Sequence, residues 1–243
     1  MLAAMLVGTL VTVAFGDDDD SLPEPGVVVD WIVDEDAGAT AAPTRAPRAT
    51  STPSAVTVSG FSYPVEGGCL PDDDNLMPGA PREYRDGIHE GMDFYDSDNC
   101  AFVGLDSEVL AAKDGAVIRA DHTYEDLTAD DLLELDALVA VRGGFDPEVE
   151  DIYRGRQVWI DHGDGIVTRY AHLNGIAEDI VVGSLVQTGD VIAYVGDSGT
   201  PESVTAPDTE VHLHFEIRIG EGYLGEGRPP DAVRTLYEEA FQP

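Results

Sequence analysis

The chain has 243 residues, enough for one medium-sized domain with appendages, and its 43% hydrophobic share is ordinary for a globular protein. Its charge is not ordinary: 48 acidic residues stand against 13 basic ones, a formal net charge of -35. With so little basic charge to neutralise phosphates, the composition argues against a nucleic-acid partner and against docking on an anionic bilayer surface.

Residues 1–16 form an apolar run, Met1 to Gly16, followed by four aspartates, Asp17 to Asp20. The run is shorter than the ~20 residues that span a bilayer comfortably. It reads as a signal peptide, with Ala14 and Gly16 as the small residues of a cleavage site, or as a membrane anchor that tethers the chain. Either reading places the protein outside the cytoplasm, secreted or held in the cell envelope. Residues 17–58 are rich in Asp, Pro, Ala and Thr, with too little apolar content to fold, and read as a disordered acidic linker. The stretch from Val27 to Val33 interrupts this linker and receives no function. The character changes near Phe61, so a single domain is expected over residues 59–243.

Cys69 and Cys100 are the two cysteines. In an exported protein they are expected to pair as a disulfide. Closing a loop of about 30 residues constrains the unfolded chain by roughly 3–4 kcal/mol. A thiolate metal site is the rival, but neither cysteine has another close by in sequence, as such sites require.

Beyond Cys100, short β-type runs alternate with glycine and aspartate turns. Strands are predicted over residues 108–111, 116–120, 157–161, 166–172, 191–195 and 211–219. That spacing fits a mostly β domain with an antiparallel sheet rather than βαβ units. Gly163-Asp164-Gly165 is a hairpin turn between two of these strands. Residues 121–156 differ. Thr128 is followed by Asp130, Asp131 and a helical leucine pattern through Leu138, which predicts a helical insertion at the edge of the sheet. A short terminal helix is predicted over residues 230–241.

Three segments hold histidines in chemistry-bearing company. His89 and Asp93 are spaced H-x-x-x-D, and His172 ends a strand in Tyr170-Ala171-His172-Leu173. His212-Leu213-His214 lies in the run where Val211, Leu213, Phe215 and Ile217 alternate. A period of two sends both imidazoles to one face of a half-buried strand, away from its apolar side. His89, Asp93 and His214 would supply two nitrogens and one oxygen, donors that suit a catalytic zinc with an open position for water. His172 and His212 would remain unligated beside that water, one as general base and one as oxyanion stabiliser, in an order that the sequence does not fix. Each segment also has a plainer reading. H-x-x-x-D fits a helix-surface pair, His172 a satisfied core histidine, and the H-x-H pair a solvated strand face. His162 reads as a turn histidine bonded to backbone, and His122 has no partner in view.

In this order, with Val182-Gly183, Gly189-Asp190-Val191-Ile192 and Val195-Gly196 between them, the segments resemble the LytM or lysostaphin-like zinc metalloendopeptidases, which are peptidoglycan hydrolases. Gly115-Ala116-Val117-Ile118 and the run from Val158 to Gly165 fit the same pattern, and the resemblance covers roughly residues 60 to 220. It implies a compact antiparallel β-sheet domain with an open groove. It also implies one zinc ion held by His89, Asp93 and His214, with catalysis by His172 and His212. The substrate it implies is a peptide bond in peptidoglycan stems or cross-bridges. Two departures bear on the groove: residues 75–85 lack the usual Phe-Gly-x-Arg element, and the 121–156 insertion is long. The alternative function is a catalytically inactive LytM-like scaffold or activator of cell-wall hydrolases, opposed by the five filled positions. A lipoyl-type carrier hairpin is opposed by Lys113, the one lysine, which lies well before the glycine-spaced hairpin.

Overall fold

The computed structural model describes residues 58–96 and 98–242, and its sheets are built from short runs that alternate with a period of two. The expected signal or anchor at 1–16 and all but the last residue of the expected linker at 17–58 lie outside the described residues. In chain order the strands are β1 (Pro81–Arg82), β2 (Gly87–Ile88), β3 (Met92–Phe94), β4 (Glu108–Leu110), β5 (Gly115–Ala120), β6 (Val158–Asp161), β7 (Ile166–Ala171), β8 (Leu173–Ile176), β9 (Leu185–Val186), β10 (Val191–Val195), β11 (Leu213–Ile219) and β12 (Gly222–Tyr223). The helices are α1 (Ala129–Arg142), α2 (Pro147–Arg154), α3 (Glu202–Thr205) and α4 (Pro230–Ala240). None of them is long and apolar enough to cross a membrane.

The strand pairs are antiparallel, as expected for a mostly β fold. The main sheet runs β12-β11-β7-β6-β5-β9, with β3 also on β11; a second sheet runs β4-β10-β8. Between them lies a core that includes Val109, Val117, Ile160, Tyr170, Leu173, Ile192, Leu213, Phe215 and Ile217. Burying each large side chain contributes about 1.5–3 kcal/mol. Helix α4 adds to this core because Val233, Tyr237 and Ala240 recur at helical spacing on one face. The hairpin at Gly163-Asp164-Gly165 joins β6 to β7. His162 beside it meets the Asp114 carbonyl at 2.8 Å and the Thr168 hydroxyl at 2.8 Å, the structural role read for it. Cys69 and Cys100 form a disulfide.

Three local expectations change. The run at 211–219 is not half-buried. Its apolar face packs on the core, but His214, Glu216 and Arg218 on the opposite face are buried as well. The ordered strand begins at Leu213, and His212 joins Gly196 through an isolated bridge. Similarly, β7 stops at Ala171, because His172 turns into the left-handed region with φ 57°.

The insertion explains the first change. It comprises two helices rather than one. Thr128 starts α1 with a capping box: the Asp131 N–H donates to its hydroxyl and its own N–H donates to the Asp131 carboxylate. Pro147 stands at the start of α2, where its missing N–H costs nothing. Leu135, Val149 and Tyr153 give the pair a small core of its own. The insertion does more than extend an edge. The last turn of α2 lies against the polar face of β11, where Arg154 donates to Glu216 at 2.6 Å.

Candidate metal centre and active groove

Strand register brings the distant motifs together. β3 runs antiparallel to β11 with Asp93 opposite His214. His89 precedes β3 on a loop held by backbone bonds to Ala80 and Gly79. Gly91 lets that loop lie flat on β11, since a Cβ there would collide with the Phe215 carbonyl and sit 2.9 Å from His214 Cε1.

The result is a buried triad of donors. His89 Nε2 lies 2.9 Å from Asp93 Oδ1 and 3.0 Å from His214 Nδ1, and His214 Nδ1 lies 2.8 Å from Asp93 Oδ1. The outward nitrogens have their own partners. His89 Nδ1 is 3.1 Å from the Met77 carbonyl, and His214 Nε2 is 3.1 Å from Glu216 Oε1. Both partners only accept, so both outward nitrogens carry the proton. The three converging atoms are thereby left to present lone pairs to one another. A cation at their centre would be ligated by all three. Ligands about 2.0–2.1 Å from a tetrahedral zinc stand roughly 3.3 Å apart, so a slight opening of this triad accommodates one ion. Two nitrogens and one carboxylate oxygen also match the zinc donor set. Arg82 Nη2 donates to the other Asp93 oxygen at 2.8 Å, leaving Oδ1 for the centre.

The electrostatics agree with a position that attracts positive charge. Burial alone lowers the His214 pKa, but the Asp93 and Glu216 carboxylates at its two ring nitrogens raise it overall. Burial pulls against the Asp93 anion, yet His89 and His214 hold that carboxyl well below its usual range. Burial dominates at His89 and lowers it to about 4.

The two remaining histidines flank the triad. His172 donates Nδ1–H to the Ser198 carbonyl at 2.9 Å, and His212 donates Nδ1–H to the Glu210 carbonyl at 2.7 Å. Each therefore keeps an unprotonated Nε2, and that of His212 lies 3.7 Å from Asp93 Oδ1. The rings stand 4.5 Å apart, centre to centre. Burial lowers both pKa values, His172 well below the ordinary range with help from His212 and His214, so both rings are neutral bases. Tyr95 stacks on His212 at 4.3 Å and donates its hydroxyl to Glu210 at 3.0 Å, which fixes the ring plane.

All five predicted residues thus line one groove of about 520 Å³, whose walls also include Leu76, Tyr84, Tyr153, Glu202 and Glu210. His122 and His162 lie elsewhere; His122 meets the Ile180 carbonyl at 2.7 Å. Sequence reasoning missed Arg82, Tyr95, Arg154, Ser198 and Glu216. A signal existed for Glu216 alone, which shares the face of His214 by its i+2 position. Residues 75–85 lack the expected arginine element, yet they supply Arg82 to Asp93 and place Tyr84 against Tyr153 at 5.5 Å.

The fold is mostly antiparallel β, and a His/Asp/His cluster able to hold a metal ion lies at the floor of a groove. Residues 87–226, more than half of the chain, match the sequence model of Peptidase family M23, and the chain belongs to that family. Stage II sporulation protein Q of Bacillus subtilis (strain 168) is 30% identical over 135 residues, which are 52% of this chain and 45% of that protein. The L-Ala--D-Glu endopeptidase of the same organism is 42% identical over 53 residues, 22% of this chain and 16% of that protein. The chain therefore spans less than half the length of these curated relatives. Among solved structures, a zinc-containing peptidase from Vibrio cholerae matches with TM-score 0.42 and 23% identity, over 67% of this chain and 38% of that one.

Proposed function

We infer that this chain is a zinc-dependent endopeptidase, secreted or bound to the envelope, that cleaves peptide bonds in peptidoglycan stems or cross-bridges. The observation that carries the reading is the convergence of His89 Nε2, Asp93 Oδ1 and His214 Nδ1 beside two neutral imidazoles whose Nε2 atoms are free. Zinc held by these three residues supplies Lewis acidity to a scissile carbonyl and to the attacking water. The chain's own residues do the rest. His172 or His212 takes the proton of that water at Nε2. The imidazolium so formed is stabilised by its Nδ1–H bond to a carbonyl, hydrogen-bonds the tetrahedral oxyanion and protonates the leaving amine. Arg82 neutralises the outer oxygen of Asp93 and keeps the carboxylate oriented. Tyr84 and Tyr153 offer flat apolar walls to an extended peptide.

The disulfide supports an oxidising, extracytoplasmic setting, with residues 1–16 as signal or membrane tether. A second reading follows the likeness to Stage II sporulation protein Q, whose name refers to sporulation rather than hydrolysis. Under it the chain is a scaffold or activator that keeps the fold without turnover. Metal analysis of the purified protein, coupled to digestion of cell-wall sacculi with product masses, decides between them. One zinc per chain and fragments with new amino and carboxyl ends are expected. A zinc-loaded protein with all five residues intact that leaves every peptidoglycan and oligoglycine substrate uncut overturns the enzyme reading.

A further inference from the structure

The polar face of β11 continues below His214 into a buried ionic network. Glu216 is fully buried. Its Oε1 receives His214 Nε2 at 3.1 Å and Arg154 Nε at 2.6 Å, and its Oε2 receives Arg218 at 3.2 Å and Arg169 at 3.5 Å. Arg154 also donates through Nη2 to Glu90 at 2.7 Å. Glu90 follows His89 in the loop, and Glu216 stands two residues beyond His214. One guanidinium therefore grips the segments of two of the three cluster residues. The Arg154 carbonyl accepts the His172 N–H at 2.9 Å, so the same residue holds the backbone of a third site histidine. Gly155 then packs against Ser198, and Arg156 N–H donates to the Ser198 hydroxyl at 3.0 Å. Ser198 in turn accepts from the His172 ring.

We propose that Arg154 and Glu216 are positioning residues for His214, and that through Arg154 the helical insertion sets the metal affinity of the centre. Glu216 fixes the His214 tautomer and ring plane by accepting its Nε2–H. A carboxylate partner also raises the basicity of the ring's other nitrogen, the one that faces the metal position. Arg154 holds that carboxylate in place with a charge-assisted bond at 2.6 Å. A simple staple for the insertion would need no bond to Glu216 or Glu90; Arg119, which bonds Asp151 of α2 away from the groove, is such a staple.

This inference rests on the zinc reading, and the test separates the two. Zinc dissociation constants of the full chain are measured by competition with a chromophoric chelator, without substrate, for the native protein and for Arg154→Lys, Glu216→Gln and Arg119→Lys. Near-ultraviolet circular dichroism checks the fold of each. Arg154→Lys keeps the charge but cannot reach Glu216 and Glu90 together. Zinc affinity is expected to fall about 10–100-fold in Arg154→Lys and Glu216→Gln and to stay within about twofold in Arg119→Lys. Folded Arg154→Lys and Glu216→Gln proteins that bind zinc as tightly as the native chain overturn the inference and leave the zinc reading standing. Native protein that takes up no zinc overturns the zinc reading itself. If both variants fail to fold, long-range proton–nitrogen spectra of the native zinc protein decide. A slowly exchanging, downfield Nε2 proton on His214 is expected, and a rapidly exchanging one overturns the proposal.

Discussion

Removing the His172 ring separates proton transfer from metal binding. His172 contributes no atom to the donor triad, and its ring is tied to Ser198 and stands 5.6 Å from that of His214. Its loss is therefore expected to leave zinc binding intact. General acid–base catalysis is worth about 10²–10⁴ in rate, or about 3–5 kcal/mol of barrier. His172→Ala and His172→Asn are both expected to lose kcat by that factor. The pair controls for backbone strain, because residue 172 sits at φ 57° and Asn tolerates the left-handed region better than Ala. The lost Nδ1–H bond costs only about 1 kcal/mol of stability. The assay is release of soluble peptide from sacculi at saturating zinc, with metal content measured on the same samples. Loss of zinc together with activity would refute the division of roles. An Asn variant that retains activity within about tenfold would refute a proton-transfer role for His172 and leave it to His212.

Three further outcomes are expected. Zinc at about 100 times its dissociation constant adds about 2.7 kcal/mol to stability, which raises the melting temperature by about 5–11 °C for a domain of this size; Asp93→Ala should show no shift. Gly155→Ala puts a Cβ into Ser198 at a residue with φ 63° and ψ -140°. It should destabilise by at least about 1–3 kcal/mol and lower kcat by displacing the carbonyl that holds His172, so a native denaturant midpoint would contradict the packing argument. With a net charge of -35 against commonly anionic wall polymers, the rate on sacculi should rise with ionic strength and then level; a monotonic fall would refute repulsion as the limit on encounter.

The fold was legible wherever local period carried the information. Alternation placed β5, β6, β7, β10 and most of β11, and Thr128 with its acids placed the start of α1. The five candidate residues, which the structure brings to one groove, stood out because their spacing within three short segments follows a family order. What local patterns could not show was the cover over the polar face of β11. His214, Glu216 and Arg218 look like a solvated stripe, and partners 47 to 128 positions away in sequence turn that stripe into a buried network. For the same reason the insertion was legible as a helix and not as a wall of the site. Its decisive contact is the last residue of α2, outside the leucine pattern that announced α1. Arg82 escaped notice because its role comes from the pairing of β1 with β2, two strands too short to leave a period.

The left-handed backbone at His172 carries a consequence for the two readings of function. Its conformation costs about 1–2 kcal/mol for a residue with a Cβ and is held by the carbonyls of Arg154 and Ser198. If His172 is the residue that moves the proton, a chain that hydrolyses its substrate must keep the imidazole and bear that cost. A chain released from hydrolysis would gain stability by placing glycine or asparagine at this position, with the fold and groove otherwise unchanged. Position 172 is thus a point where stability and turnover pull in opposite directions. Here the position holds histidine, as the enzyme reading requires.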